Sequence, residues 1–428
     1  MELIFFFGSF LLLLIMRCPV AFSMLLSSFG FMLLKGDISL LIIPERITIS
    51  LDSFPLLAVP FFIVAGSIMN KVGIARRIFD FALSLFGHFK AGLAHVNVIA
   101  SMIFAGMSGS AFADAAGLGA VEIKAMVDEG YDRDFSAAVT AVSSCIGPVI
   151  PPSVVMVLYG VMAQVSIGEL FAAGFIPGIF MGIFMMIMIY TLAVSGKITC
   201  PRRKRQPLRV VFKKTKAAFF PLLAPVFILG AILLGIATPT EAGVIATIFS
   251  IVLGLIYGTL KWKTFSEILE ESVLTTGRIM FIIAAASVFG WLVTIEQVAT
   301  ILYNSIQIIT TQKWLILLFV NVILLFLGCF IEGLAIMIIS VPALIPIMNA
   351  LQVNLVHFGV ILIITIMIGL ITPPVGMTLY IVSGLAKTKI EKVVRRVLPF
   401  YVPMIFTLLI TTYWDKMVLL IPKLIFRH

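Results

Sequence analysis

Ser143-Ser144-Cys145-Ile146-Gly147-Pro148-Val149-Ile150-Pro151-Pro152 interrupts an apolar stretch, 134–164, that is otherwise long enough to cross a bilayer. Neither Pro151 nor Pro152 has an amide hydrogen, so no helical ladder continues through them. The stretch therefore reads as two half-helices joined by irregular backbone. In lipid each unsatisfied N–H or C=O costs several kcal/mol, so such a break persists only where it lines a cavity or is buried in protein. A second interruption, Gly369-Leu370-Ile371-Thr372-Pro373-Pro374, follows 222 residues later, with Gly369 matching Gly147 and Pro373 matching Pro151. In the same frame Glu391 matches Glu169 and Pro399 matches Pro177. Paired broken helices at corresponding places in two halves point to a transporter built from repeats, with its site between the breaks.

Composition supports a lipid solvent. Of 428 residues, 61% are hydrophobic and 12% charged, and the apolar segments run through the whole length. Residues 1–16 resemble a secretory signal core, but Arg17-Cys18-Pro19 follows where a small-residue cleavage site would stand, so they read as a span. The net charge of +10 sits in short loops between apolar segments, as membrane orientation requires, which argues against nucleic acid. Cys18, Cys145, Cys200 and Cys329 are scattered, and Cys145 and Cys329 read as packed thiols. His88, His95, His357 and His428 form no metal-binding spacing, and no GxxxxGK[ST] is present. No convincing base accompanies the serines. Metal, ATP-hydrolysing and intramembrane hydrolase chemistries are therefore disfavoured.

The predicted fold is an all-α integral membrane protein: two inverted repeats, about ten membrane spans, two re-entrant helical hairpins and two discontinuous helices. The first repeat, 1–195, holds spans 2–16, 19–34, 54–70 and 168–195, hairpin one at 91–128 and the broken helix 134–164. A connection, 35–53, and an amphipathic segment, 71–90, with Arg76, Asp80, Ser84 and His88 on one face, complete it. A basic linker, 196–217, carries Arg202, Arg203, Lys204 and Arg205 among other cations. The second repeat, 218–428, holds spans 218–237, 240–258, 278–296 and 398–420, interface segments 260–277 and 297–312, hairpin two at 314–350 and the broken helix 355–385. A hairpin enters and leaves on one side, so each half makes an odd number of crossings and the halves must be inverted. Placing the linker in the cytoplasm puts most Lys and Arg there and both termini outside.

The breaks and hairpin tips supply the candidate site. Carbonyls freed before Pro151-Pro152 and before Pro373 can face a dehydrated cation, and half-helix N-termini present N–H groups to an anion. Around hairpin one and the first break, Gly106, Ser108, Gly109, Ser110, Asp114, Ser143, Ser144, Gly147, Pro151 and Pro152 are candidate sodium or substrate ligands or allow close backbone approach. Gly328, Glu332, Gly333, Gly369, Thr372, Pro373 and Gly376 form the second set. Small residues also serve simply to pack membrane helices. Asp114 is either a buried functional carboxyl or the cap of the hairpin's second arm. Arg278 either pairs with a substrate carboxylate or snorkels to the interface. Glu241 reads as a helix cap, and Gly174, Gly178 and Gly182 as a packing face.

Gly106-Met107-Ser108-Gly109-Ser110-Ala111-Phe112-Ala113-Asp114-Ala115-Ala116, the first break through Ser153, Ala237-Thr238-Pro239-Thr240-Glu241-Ala242 and Gly369 to Gly376 together resemble the large membrane subunit of tripartite ATP-independent periplasmic (TRAP) transporters. The resemblance covers nearly the whole chain. It implies a bacterial inner-membrane, Na+-coupled symporter of an organic acid, of the C4-dicarboxylate or sialic acid class. It implies two partners, a small four-helix membrane subunit and a periplasmic substrate-binding protein, and an elevator movement of the hairpin-bearing domain. No four-span block precedes 2–16, so the small subunit is expected on a separate chain. The sequence departs from the family at Glu332-Gly333, where many members carry an Asp-Thr-type pair, and at Arg278, where a neutral residue is expected. The alternative reading is a channel-like or energy-coupling membrane subunit without its own site. A channel needs a continuous polar path, and few spans carry a polar stripe.

Overall fold

The computed structural model describes residues 2–201 and 203–426, and among these every regular element is helical. Among the described residues, seven helices are long and apolar enough to cross a membrane by length and composition. Helices Ala58–Lys71 and Pro239–Ile256 pack along each other, flanked by Trp262–Ile295. Thr238 and Glu241 start helix Pro239–Ile256 with a reciprocal capping box.

Both interrupted helices are interrupted. Helix Arg133–Ser144 stops, and Val154–Ala163 resumes after a run of turns that includes a cis Pro151-Pro152 bond. Helix Leu355–Gly369 stops likewise, and Met377–Ala386 resumes after Pro373-Pro374. Each predicted hairpin segment is a pair of helical arms: Gly92–Ser108 with 111–128, and Lys313–Gly328 with Gly333–Ala350.

Several boundaries differ from the sequence reading. The segments 260–277 and 278–296 form one helix, Trp262–Ile295, of 34 residues. No proline interrupts it, and its charged first half buries Ile268 and Ser272 while exposing Glu267 and Glu270. Helix Leu208–Leu233 starts ten residues before the expected span at 218, directly after Pro207, so Arg209, Lys213, Lys214 and Lys216 lie on it. The connection 35–53 contains a helix, Ile42–Leu51. The segment 398–420 breaks at Trp414, after helix Tyr401–Tyr413. In 71–90, Ser84 is buried and returns its hydroxyl to the Phe81 carbonyl, while Asp80 accepts from Lys214 at 2.6 Å.

Gly174, Gly178 and Gly182 form a packing face. A side chain at Gly174 would meet Met156 and the Val149 carbonyl, and one at Gly178 would meet Ile150. Helix Ile167–Val194 thus clamps the first break from behind.

Candidate functional site

Hairpin one turns at Gly109, whose φ of +57 closes helix Gly92–Ser108 in the left-handed region. A Cβ on Gly109 would lie 2.6 Å from the Pro152 carbonyl oxygen, so the tip rests directly on the first break. Ser110 caps the second arm by accepting from the Ala113 amide, which leaves Asp114 free of the capping role. Ser108 instead donates to Asp114 Oδ1. Asp114 is 1% exposed, and its Oδ2 has no hydrogen-bond partner among the described residues. That oxygen points at the break: a Cβ on Gly147 would sit 2.5 Å from it. The surrounding segment, Asp114–Leu118, is π-helical, a local widening that recurs at functional sites.

The half-helix before the break is held by a buried polar seam. Ser143 donates to Asn97 Oδ1 at 2.6 Å, Asn97 donates to Thr140 at 2.7 Å, and Ser101 donates to Ser143 at 3.1 Å. Ser144 returns its hydroxyl to Ala141. The sequence reading missed Asn97 and Thr140. Their signal was polarity inside otherwise apolar helices.

Hairpin two meets the second break in a different way. A Cβ on Gly328 would lie 2.9 Å from Gly369 Cα, so two backbones touch. The Val375 amide donates to the Cys329 carbonyl at 3.0 Å. Thr372 donates to Ile368 within its own turn, and Tyr401, another residue the sequence reading missed, donates to the Ile371 carbonyl at 2.7 Å. Gly376 adopts φ +44 where helix Met377–Ala386 starts. Glu332 precedes the second arm without capping it, and Gly333 packs on Ile366.

These parts converge on a cavity of about 760 Å³. Gly109 and Ser110 of tip one, Pro148 and Val154 of break one, Glu332 and Gly333 of tip two, and Met367 and Leu370 of break two line it. Arg278 and Thr275 reach it from helix Trp262–Ile295, and Cys18 and Phe22 close another side. Among the lining residues Arg278 is the one cation and Glu332 the one acid. Ser108, Asp114, Ser143, Ser144, Gly147, Gly328, Gly369, Thr372 and Gly376 do not line it; all of these but the half-buried Thr372 are buried. Gly106 and Pro151 face a separate apolar crevice of about 460 Å³ against Pro225. Pro373 faces another of about 360 Å³.

Facing loops are tied by ions. Arg203 from the basic linker pairs with Glu129 beyond hairpin one, holding the Glu129 carboxyl below its ordinary range, and Arg396 pairs with Asp132 at 2.8 Å.

Comparison with known proteins agrees with this architecture. The chain is 43% identical over 408 residues to the sialic acid TRAP transporter large permease protein SiaM of Vibrio cholerae, covering 95% of each chain. It is 37% identical to the C4-dicarboxylate TRAP transporter large permease protein DctM of Pseudomonas aeruginosa, covering 87% of each. The fold resembles that of the YdaH transporter of Alcanivorax borkumensis, with a TM-score of 0.64 at 15% identity and 87% coverage of each chain. Residues 7–417 match the family described as the tripartite ATP-independent periplasmic transporter, DctM component. The chain is therefore a multi-pass membrane permease and not an enzyme, and it belongs to the DctM family of large TRAP transporter subunits.

Proposed function

We propose that this subunit carries out Na+-coupled uptake of an organic acid anion across the bacterial inner membrane. The observation that carries the reading is the cavity of about 760 Å³ on which both hairpin tips and both helix breaks converge, with Arg278 in its wall. Arg278 is the counter-charge for a substrate carboxylate, and free amides at the starts of the resuming half-helices add donors. One Na+ is held between hairpin one and the first break, and its electrostatic partner is Asp114. The unpaired Oδ2 aimed at Gly147 supports this, because a lone buried carboxylate is costly without a cation. A second Na+ is held between Gly328, Gly369, Thr372 and Gly376 by backbone carbonyls.

The two halves, 1–195 and 218–428, act as inverted repeats, and the hairpins and broken helices move together as an elevator against the helices around Ala58–Lys71 and Pro239–Ile256. The working unit includes a small four-helix membrane subunit and a periplasmic substrate-binding protein, with both termini of this chain periplasmic. The sialic acid and C4-dicarboxylate relatives support those two acid classes as substrates.

The test is uptake into proteoliposomes containing both membrane subunits, with the binding protein outside. Radiolabelled sialic acid or a C4-dicarboxylate should accumulate with an inward Na+ gradient and without ATP. Accumulation that ignores Na+, or that needs ATP, rejects the proposal. Arg278→Gln should lower uptake at least tenfold without lowering membrane insertion.

A further inference from the structure

Hairpin one buries a second carboxyl. Glu122 lies in its second arm, Gly119–Asp128, two helical turns beyond Asp114. It is 1% exposed, and its Oε1 has no hydrogen-bond partner among the described residues. The arm packs on helix Arg133–Ser144: a Cβ on Gly119 would lie 2.6 Å from Thr140 Cγ2, and Glu122 follows Gly119 by three residues on that side. Glu122 therefore lies on the side of the arm that packs on helix Arg133–Ser144, about one turn from the Gly119–Thr140 contact.

The charged surroundings are sparse. On its own arm Lys124 and Asp128 are exposed. Helix Arg133–Ser144 carries Arg133 and Asp134 only in its first turn, and Asp134 accepts from Thr388. Helix Met377–Ala386 has no ionisable group that charges near neutrality. On helix Ile74–Phe86, Arg77 lies over Tyr257, Asp80 is paired with Lys214, and Arg76 is exposed. Helix Gly92–Ser108 contributes His95. Asp114, two turns earlier in the same hairpin arm and equally buried, carries the other carboxyl oxygen of this arm that has no partner among the described residues.

At low dielectric a negative charge on one buried carboxyl raises the cost of ionising the other. Ser108 donates to Asp114, which favours Asp114 as the ionised partner. Glu122 has no such donor at Oε1 among the described residues. We propose that Glu122 is a proton-binding site coupled to the sodium site at Asp114, so that sodium entering hairpin one drives a proton off Glu122. The inference rests on the sodium reading of Asp114. Linkage makes the effect reciprocal: a proton on Glu122 weakens sodium binding by the factor with which sodium weakens the proton.

The experiment measures sodium-dependent thermal stabilisation of the purified complex, with KCl as control, from about pH 6 to about pH 9, because buried glutamates titrate as high as about pH 8–9. Proton release on adding NaCl is followed in parallel with a pH dye in weak buffer. In the wild type the sodium midpoint should fall about three- to tenfold per pH unit as pH rises, tenfold being the limit for one proton displaced per sodium. NaCl, but not KCl, should release protons. Glu122→Gln should still bind sodium, with a midpoint flat in pH and no proton release. A wild type that binds sodium with no pH dependence and no proton release overturns the coupling alone, as does a Glu122→Gln protein that keeps the slope. A wild type with no sodium response at any pH overturns the underlying sodium reading as well. The wild-type measurements decide the matter even where the variant fails to fold.

Discussion

The Cys145 thiol donates to the Met367 carbonyl at 3.3 Å, and these residues are 222 positions apart, the same offset that superposes the two Pro-Pro breaks. The contact brings together the half-helices that precede the two breaks. Cys145 is fully buried, whereas Cys18 is partly exposed and lines the large cavity. A membrane-permeant maleimide should label Cys18 in the native complex and leave Cys145 unlabelled until denaturation, read by peptide mass spectrometry. Rapid native labelling of Cys145 would contradict the packing at this contact.

Gly147→Ala places a methyl group against Asp114 Oδ2, where 2.5 Å of space is available. The carboxyl must turn away or the break must shift, at about 1–3 kcal/mol for an overpacked site. The sodium response in thermal-shift measurements should weaken at least tenfold. Gly230→Ala is the control: it is helical and nothing lies within 4 Å of the new carbon, so its behaviour should match wild type.

Gly369→Ala tests the second break independently. Its Cβ would lie 2.8 Å from Gly328 Cα, and backbone cannot rotate aside as a side chain can. Uptake should fall at least tenfold while the Gly147 half of the site retains its sodium response. Equal loss of both responses would mean the two breaks do not act as separate sites.

The Arg203–Glu129 pair gives a pH prediction outside the membrane. Hydrogen bonding from Arg203 lowers the Glu129 pKa. A depressed carboxyl contributes stability above its unfolded pKa, and that contribution is lost as pH falls through the folded value. Both side chains are about one-third exposed, 33% and 29%, so the pair contributes from a few tenths to about 1 kcal/mol. Arg203→Gln should lower the melting temperature slightly at neutral pH, and the difference from wild type should vanish in acid. A difference that persists below the carboxylate range would show that Arg203 acts through packing.

The helix breaks were legible because they are written in backbone chemistry. Proline without an amide hydrogen ends a ladder wherever it stands, so both breaks were readable at Pro151-Pro152 and Pro373-Pro374. Gly106-Met107-Ser108-Gly109-Ser110 marked the hairpin turn as a Gly-rich interruption, while the left-handed Gly109 and the Ser110 cap came only with the structure. Asp114 was legible as a costly carboxyl, although its alternative role as a cap could be removed only once Ser110 was seen to fill it. The continuous helix Trp262–Ile295 was misread because its charged half resembles a surface segment, while nothing in its backbone demands a stop.

What the sequence by itself determined about this protein is where its helices break, that its solvent is lipid and which family it resembles. Which faces point inward was left to the tertiary structure. Phe29 is exposed and Phe31 fully buried two residues away, and no composition rule separates them, because lipid tails and a protein core are equally apolar. The same ambiguity hid Glu122, whose burial depends on an arm packing against a helix that follows it through a turn. It also hid that Arg278 lines the same cavity as the hairpin tips, since helices far apart in the chain meet in that wall.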